Sequence, residues 1–230
     1  MGCDQGDVPI EGTASDNIAY ECDGSRNGQP FKCVVSVIPP VSVTQFVGIE
    51  AIIDIYLGSG PSEHPIGPLP DFWRLGVGEC RDGNLIMPMT TIGVGGTSCV
   101  NTWSGASTGG GYQYTSYPDH GRMHLTFARS NSVSLTGGQQ YVGMVFAFDT
   151  VGDTEIGYGE CPGCCSSVAI VANQVNLYQV AGTPPQDIFY LTSGERPWVT
   201  WQSTNFPHQP GCVPSPTRRT TWGSIKATYR

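Results

Sequence analysis

The sequence predicts an all-β fold, an antiparallel β-sandwich of jelly-roll or immunoglobulin-like type with a short C-terminal helix. Gly (31) and Pro (18) are frequent while only 13% of the residues are charged, which suits many turns between short strands. Several segments alternate apolar and polar residues with a period of two, as half-buried strands do. Nine cysteines in 230 residues are typical of a domain held together by disulfides in an oxidising compartment.

The clearest predicted strand covers residues 43–57. Seven of its apolar side chains share one parity, whereas Glu50 and Asp54 fall on the other, so the pattern indicates one buried face and one wetter face. A strand this long is expected to bend or to contain a bulge near Gly48. Shorter strands are predicted over residues 31–38, 85–89, 112–114, 122–128, 141–148, 168–178 and 198–202.

Two of these strands carry a more detailed expectation. In residues 141–148, the alternation predicts one buried face, made of Val142, Met144, Phe146 and Phe148. In residues 168–178, the apolar parity changes partway along the strand. This change predicts a bulge at Asn173 and Gln174.

The chain is predicted to have three parts: an acidic N-terminal arm (1–30), the β-sandwich (31–205) and a Pro-rich linker with a basic C-terminal arm (206–230). Residues 1–23 hold six acidic side chains and no Lys or Arg, whereas no acidic residue follows Glu195. The arms are then either solvated tails or docking elements for a charged surface of the same chain or of a neighbouring copy.

The C-terminal arm carries the predicted helix. Thr220 or Thr221 is a suitable N-cap, and the side chains that follow form an amphipathic pattern. The residues expected to contact a neighbouring copy are the apolar Trp222, Ile225 and Tyr229 and the basic Arg218 and Arg219.

The cysteines indicate structural disulfides, with one cysteine left over after four bridges. The C-x-x-C pair at residues 161–164 lacks the following helix that lowers a redox thiol's pKa, and a second C-x-x-C for a zinc ribbon is absent. The spacing leaves the connectivity open. The cysteines predicted to form disulfides are Cys22, Cys33, Cys80, Cys99, Cys161, Cys164, Cys165 and Cys212.

Motifs for catalysis are weak, and the chain is predicted not to be an enzyme. Residues 105–109 match G-x-S-x-G, but the glycines that follow do not start the helix that a nucleophile elbow needs. Glu50 and Asp54 lie about 13 Å apart along one strand, too far for a glycosidase pair by themselves. The four histidines show no metal-binding or triad spacing.

Two weaker binding sites can be named. Asp149, Asp153 and Glu155 offer carboxylates to Ca²⁺, although a solvated turn is the simpler interpretation and no other cofactor is expected. Aromatic residues in the Gly-rich region are candidates for stacking on sugars, or they cover one end of the sandwich. They are Trp103, Tyr112, Tyr114 and Tyr117.

Several motifs resemble a family of uncharacterised secreted bacterial proteins. They are the Cys-Pro-Gly-Cys turn at 161–164, Val-Thr-Trp-Gln at 199–202 and Thr-Trp-Gly-Ser-Ile-Lys-Ala-Thr-Tyr-Arg at 221–230. The resemblance implies export to the outside or the surface of a bacterium, and it implies no activity.

The sequence therefore favours a secreted, self-assembling structural protein, such as a filament or surface-layer subunit, whose partners are other copies of itself. A carbohydrate- or cell-surface-binding module is the alternative, and a secreted hydrolase is a third hypothesis. A net charge of -8 disfavours nucleic acid as a partner. The sequence contains no run of about 18 apolar residues, so no transmembrane segment is predicted.

Overall fold

A computed structural model describes residues 16–18, 22, 30–58, 67–87, 99–149, 161–184, 188–191 and 198–202. These residues form strands and one short 3-10 helix, Asp71–Trp73. The strands are β1 (Asp16–Ile18), β2 (Phe31–Val37), β3 (Val43–Leu57), β4 (Leu85–Ile86), β5 (Val100–Asn101), β6 (Thr108–Ser116), β7 (His120–Leu135), β8 (Tyr141–Phe148), β9 (Val168–Gln179), β10 (Ile188–Leu191) and β11 (Trp198–Trp201).

The described strands form two sheets. The large sheet has seven strands in the order β1-β11-β9-β3-β7-β6, with β10 also paired to β9. The small sheet has four strands in the order β2-β8-β4, with β5 also paired to β8. Apolar side chains of both sheets belong to one buried cluster, which confirms the predicted all-β sandwich.

The centre of the large sheet is β3, which pairs with β7 on one side and β9 on the other. Its Ile49, Ala51, Ile53 and Ile55 are all at most 2% exposed and point into the sandwich. The register with β7 shifts between Phe46 and Gly48, which confirms the predicted irregularity near Gly48. Since β7 and β9 pair with β3 along most of its length, β3 sets the positions of the residues on both faces of the large sheet.

In the small sheet, every residue of β8 is buried. The prediction that Val142 shares a face with Met144, Phe146 and Phe148 is wrong, because Val142 packs in a separate cluster with Val145. The reason is a bulge: β2 pairs with Met144 and then with Val142, so Gly143 is skipped. A Cβ at Gly143 would lie 2.8 Å from the Ile49 side chain, which explains why glycine occupies the bulge.

Aromatic side chains fill one end of the core. Trp73 and Trp201 are each 1% exposed, and their rings meet edge to face with centroids 5.2 Å apart. Phe148 and Phe31 add further edge-to-face contacts at 5.5 and 5.4 Å. Such ring pairs stabilise a core beyond the area they bury. These ring contacts therefore connect the 3-10 helix, β11 and the small sheet at this end.

Two disulfides secure the same end of the molecule. Cys22 is bonded to Cys164, and Cys80 to Cys161. The Trp201 indole donates a hydrogen bond of 2.7 Å to the carbonyl of Cys164. The Cys-Pro-Gly-Cys turn is therefore a structural connector, as the sequence predicts. Cys99 and Cys165 are also disulfide-bonded.

The prediction that Cys33 forms a disulfide is wrong, since Cys33 is a thiol. It lies within β2 opposite Phe146, where its side chain packs against the main core. Cys212 lies outside the described residues.

The strand predictions agree closely with the structure for β2, β3, β8, β9 and β11. The predicted strand at 112–114 is the middle of the longer β6, and the strand at 122–128 is part of the longer β7. The predicted N-terminal arm also contributes to the sheet, because β1 pairs in parallel with β11 and Ile18 is buried. The predicted C-terminal helix lies outside the described residues.

Among the described residues there is no helix long and apolar enough to cross a membrane.

Removing the Cys80–Cys161 disulfide, which closes a separation of 81 residues, should destabilise the fold. We expect Cys80→Ser with Cys161→Ser to lower the free energy of unfolding by about 2–4 kcal/mol, mainly by freeing the unfolded chain. Urea denaturation followed by tryptophan fluorescence measures this loss. Cys33→Ser is the matched control and should cost less. An equal loss in both variants would contradict the structural role of this disulfide.

Candidate functional site

The outer face of the large sheet carries a connected set of polar side chains. They project from β3 and from its neighbours β7 and β9, on the side opposite the core. Antiparallel sheets often leave one face to water, so polar residues here are expected. The way in which they are bonded to one another decides what this face can do.

Asp54 is the most buried member of the set, with a side chain 0% exposed. Arg122, directly opposite on β7, donates two hydrogen bonds to its carboxylate, at 2.7 and 2.8 Å. Tyr56 donates a third at 3.0 Å and Asn173 a fourth at 2.5 Å. The Asp54 hydrogen bond is the main cause that raises the pKa of Arg122, so this side chain stays charged.

The predicted bulge in β9 explains how Asn173 reaches Asp54. Along β3, Ile52 pairs with Gln174 and Ile53 with Ala172, so Asn173 is the extra residue. Two consecutive β9 side chains, those of Asn173 and Gln174, therefore face outward. The bulge redirects an amide onto the carboxylate while Val175 and Leu177 return to the core face.

Glu50 lies four residues before Asp54 on the same face of β3 and has its own hydrogen-bond partners. His124 bonds its carboxylate at 2.6 Å, and the Tyr178 hydroxyl donates a second hydrogen bond. Both partners are diagonal neighbours across the strand pairs. Burial raises the pKa of Glu50, but the hydrogen bonds from Tyr178 and His124 outweigh it, so the pKa lies below its usual value.

Both carboxylates are therefore occupied as hydrogen-bond acceptors. Glu50 and Asp54 each use both oxygens, and they share no partner among the bonds described here. This arrangement ties β7, β3 and β9 together on the face that lacks a hydrophobic layer. These hydrogen bonds brace the sheet. They do not form the pair of acid and base carboxyl groups that a glycosidase uses.

A shallow groove of about 350 Å³ lies beside Tyr178 on the same face. The groove crosses four paired strands at Tyr178, Gly48, Ala128 and Gly109. Because two of these residues are glycine and one is alanine, the floor of the groove has almost no side chains. The groove is lined by Val47, Gly48, Ile49, Gly109, Gly110, Thr126, Phe127, Ala128 and Tyr178.

At one rim of the large sheet, β6 pairs with β7 and with no other strand that the structure describes. The hydrogen bonds from Ser130 to Ser107 and from Tyr117 to His120 fix which residues face β7. Backbone groups alternate in direction along an antiparallel strand. The N–H and C=O groups of Gly110, Tyr112 and Tyr114 therefore point away from β7. We call this row of backbone groups the β6 edge.

The aromatic residues proposed from the sequence do not form one platform. Trp103 is 5% exposed, packs edge to face on Phe127 at 4.5 Å and donates to the carbonyl of Gly143 at 2.9 Å. Tyr114 donates to the carbonyl of Trp73 at 2.5 Å, and burial raises its pKa. These two residues hold β6 and the preceding loop against the core.

The other two aromatic residues are accessible. Tyr112 is 39% exposed at the β6 edge, and Tyr117 is 41% exposed at the turn between β6 and β7. The Tyr117 ring stacks on His120, with centroids 4.5 Å apart, and lies 5.7 Å from the guanidinium of Arg122. Tyr112 and Tyr117 are thus separate exposed rings on one hairpin.

The remaining predicted residues are only partly placed. Asp149 follows β8, and the Arg81 side chain donates to its carbonyl; Asp153 and Glu155 lie outside the described residues. Within the described part of the chain, no three His, Cys, Asp or Glu side chains form a group that could hold a metal ion. The predicted assembly residues Arg218, Arg219, Trp222, Ile225 and Tyr229 lie outside it too.

The sequence pattern predicted the polar face but missed its partners. The parity of β3 placed Glu50 and Asp54 on one face, whereas Arg122, Tyr178 and Asn173 come from strands far apart in sequence. The G-x-S-x-G segment leads into β6 at Thr108, so the helix required for a nucleophile elbow does not follow it.

No protein-family model, curated protein or solved structure matches the chain.

The two carboxylates should differ in their effect on stability. We expect Asp54→Asn to lower the free energy of unfolding by about 2–3 kcal/mol, because it weakens hydrogen bonds to a fully buried charge. Glu50→Gln, the control on the same strand face, should cost about 1 kcal/mol or less, since His124 is partly exposed. Denaturation at pH 7 checks both values, and equal costs would contradict the ranking.

The Glu50 contribution should also depend on pH. Its pKa is lower in the folded protein, so the stabilisation is present above about pH 4.3, the ordinary glutamate value. It is lost as the pH falls through the folded pKa. The difference between wild type and Glu50→Gln should therefore shrink in acid, and a difference that grew would overturn the assignment.

Proposed function

We propose that this chain is a secreted, non-catalytic structural protein of a bacterium that assembles with other copies of itself. The observation that carries the proposal is the β6 edge. A strand at the rim of a sheet offers unpaired backbone groups, which favour pairing with another chain. In this protein that strand is long and carries no charge.

Proteins that must stay monomeric usually protect such edges with short strands, proline, charged side chains or a covering segment. β6 has nine residues, Thr-Gly-Gly-Gly-Tyr-Gln-Tyr-Thr-Ser, and contains neither proline nor a charged residue. The opposite rim, β1, has only three residues. The two rims differ in the way expected if one of them serves as a contact.

The extracellular part of the proposal rests on the sulfur chemistry. Disulfides persist in oxidising compartments and are rare in a reducing cytosol. Cys22–Cys164 and Cys80–Cys161 join segments that are 142 and 81 residues apart. The resemblance to secreted bacterial proteins supports the same location.

The polar face supports a structural role. The Asp54 and Glu50 carboxylates are engaged by Arg122, Asn173, His124 and Tyr178, and these bonds hold three strands together. A general acid or base needs a carboxyl that is poised to exchange a proton with a substrate. The lowered pKa of Glu50 instead favours a permanent anion within the brace.

Charge supports a second contact through the C-terminal arm. Residues 203–230 hold four basic and no acidic residues, a charge of +4, whereas residues 1–202 hold 7 basic and 19 acidic residues, a charge of -12. Opposite charges favour contact between an arm and the body of a neighbouring copy. The β6 edge and the arm together would supply the two different contacts that a filament or surface layer needs.

Blocking one outward backbone group should reduce self-association. Tyr112→Pro removes an N–H of the β6 edge and leaves the bonds to β7 intact, whereas Tyr112→Ala removes the same side chain and keeps the N–H. We expect light scattering at matched concentrations to give a lower average mass for Tyr112→Pro than for Tyr112→Ala and wild type.

Circular dichroism and thermal unfolding establish that both variants are folded. Deletion of residues 206–230 tests the arm in the same assay, and it should lower the mass further if the arm docks on a neighbour. Monomeric wild type at all concentrations would refute the proposed function. Equal masses for the proline and alanine variants would remove the β6 edge from it.

A carbohydrate-binding module is the second candidate function, and the groove beside Tyr178 favours it. Its flat floor of Gly48, Ala128 and Gly109 permits close approach of a sugar ring, and Tyr178 offers an aromatic face. Glu50 fixes the Tyr178 hydroxyl, which holds the ring in place.

A glycan array tests this candidate. Binding by wild type should be lost in Tyr178→Ala and largely kept in Tyr178→Phe, because stacking needs the ring rather than the hydroxyl. Tyr112→Ala removes an exposed ring of the β6 hairpin outside the groove, so it distinguishes binding in the groove from binding on the hairpin. Binding that Tyr178→Ala leaves unchanged would exclude the groove.

A further inference from the structure

We infer that the partner at the β6 edge is the β6 strand of a second copy, paired antiparallel about a two-fold axis through Tyr112. This inference rests on the proposed function, since it names the partner of the same site. It would join the two seven-stranded sheets into one continuous sheet. Three features of β6 support this arrangement over a strand of unrelated sequence.

The first feature is the symmetry of the outward backbone groups. They belong to alternate residues of β6, and Tyr112 is the middle residue of the strand. Antiparallel pairing about Tyr112 sets Tyr112 opposite its own copy and Gly110 opposite Tyr114 of the second copy. Each such pair exchanges two hydrogen bonds, so the outward groups near the centre of both strands are satisfied together.

The second feature is the division of the strand into two unlike halves. Residues 109–111 are all glycine, whereas residues 112–116 all carry side chains. The two-fold axis places the glycine half of one copy beside the half with side chains of the other. On the outer face, Gly111 would lie opposite Gln113, and Gly109 opposite Thr115. Pairing a glycine with a larger cross-strand neighbour avoids collisions and covers the exposed backbone.

The glycines themselves have different reasons to be there. A Cβ on Gly110 would collide with the Thr126 carbonyl and the Phe127 ring of the same chain, so Gly110 is required by the fold. A Cβ on Gly111 would meet nothing within 4 Å. The fold of one copy would therefore accept a larger residue at Gly111. In the two-fold pair, a side chain from the second copy would occupy the space beside Gly111.

The third feature is charge. β6 carries no charged residue, so two copies of the strand do not repel each other at close range. The Glu79 carboxylate contacts one end of the strand, where it accepts a hydrogen bond from Ser116. In the two-fold pair, Ser116 and its copy lie about 27 Å apart along the strands, at about 3.4 Å per residue. That separation exceeds the Debye length of about 8 Å in physiological salt, so the two Glu79 groups are screened.

Disulfide trapping tests the register directly in the full-length protein with Cys33→Ser. Gly111→Cys and Gln113→Cys are prepared separately, because the register sets each opposite the other and not opposite its own copy. Facing positions are close enough for a disulfide, whereas positions two residues out of register lie beyond its reach of about 7 Å. Mild oxidation of the mixed variants should give a covalent heterodimer, and each variant alone should give little. Gly111 accepts the new side chain without contact, and Gln113 is exposed.

Light scattering on the unoxidised variants distinguishes the possible failures. If the wild type and the variants are oligomeric but the mixture gives no heterodimer, the two-fold β6 pairing is wrong and the proposed function survives. Efficient cross-linking within each single variant would indicate a different register and would also overturn the inference. If every sample is monomeric at all concentrations, both the inference and the proposed function fail.

Discussion

The packing of the inner face of β3 against the small sheet is the interaction on which the rest of the structure depends. Ile49, Ala51, Ile53 and Ile55 fill the interior, and a side chain cannot enter the core without its neighbours along the strand facing outward. Glu50 and Asp54 are therefore placed on the outer face by the burial of the isoleucines. The polar brace is a consequence of that alternation, since the pairing of β3 with β7 and β9 supplies its partners.

The local pattern was sufficient to predict much of the sheet. β3 and β8 have the predicted ends; the irregularity near Gly48 was expected from the length of β3, and the bulge at Asn173 from a change in apolar parity. Short strands were harder to predict, because β1, β5 and β10 have too few residues to show a period of two. Val142 was assigned to the wrong face because the bulge at Gly143 leaves no break in an entirely apolar strand.

The candidate site could be predicted only in part, because its bonds join distant segments. Asp54 and Asn173 are 119 residues apart, and Glu50 and Tyr178 are 128 apart. Sequence spacing carries no information about such pairs. The pairing of Cys22 with Cys164 and of Cys80 with Cys161 was open for the same reason. For Trp103 the sequence left two interpretations open, an exposed ring for stacking on sugars or cover for one end of the sandwich, and its indole is buried against Phe127.

The short β1 at the other rim of the large sheet has a consequence for the growth of any assembly. β1 is held in place through Cys22, four residues further along, which is bonded to Cys164. A chain that competed with β1 for pairing to β11 would therefore have to displace β1 against a covalent tether. Growth of the sheet at this rim would have to use the outer side of β1, which has three residues against the nine of β6.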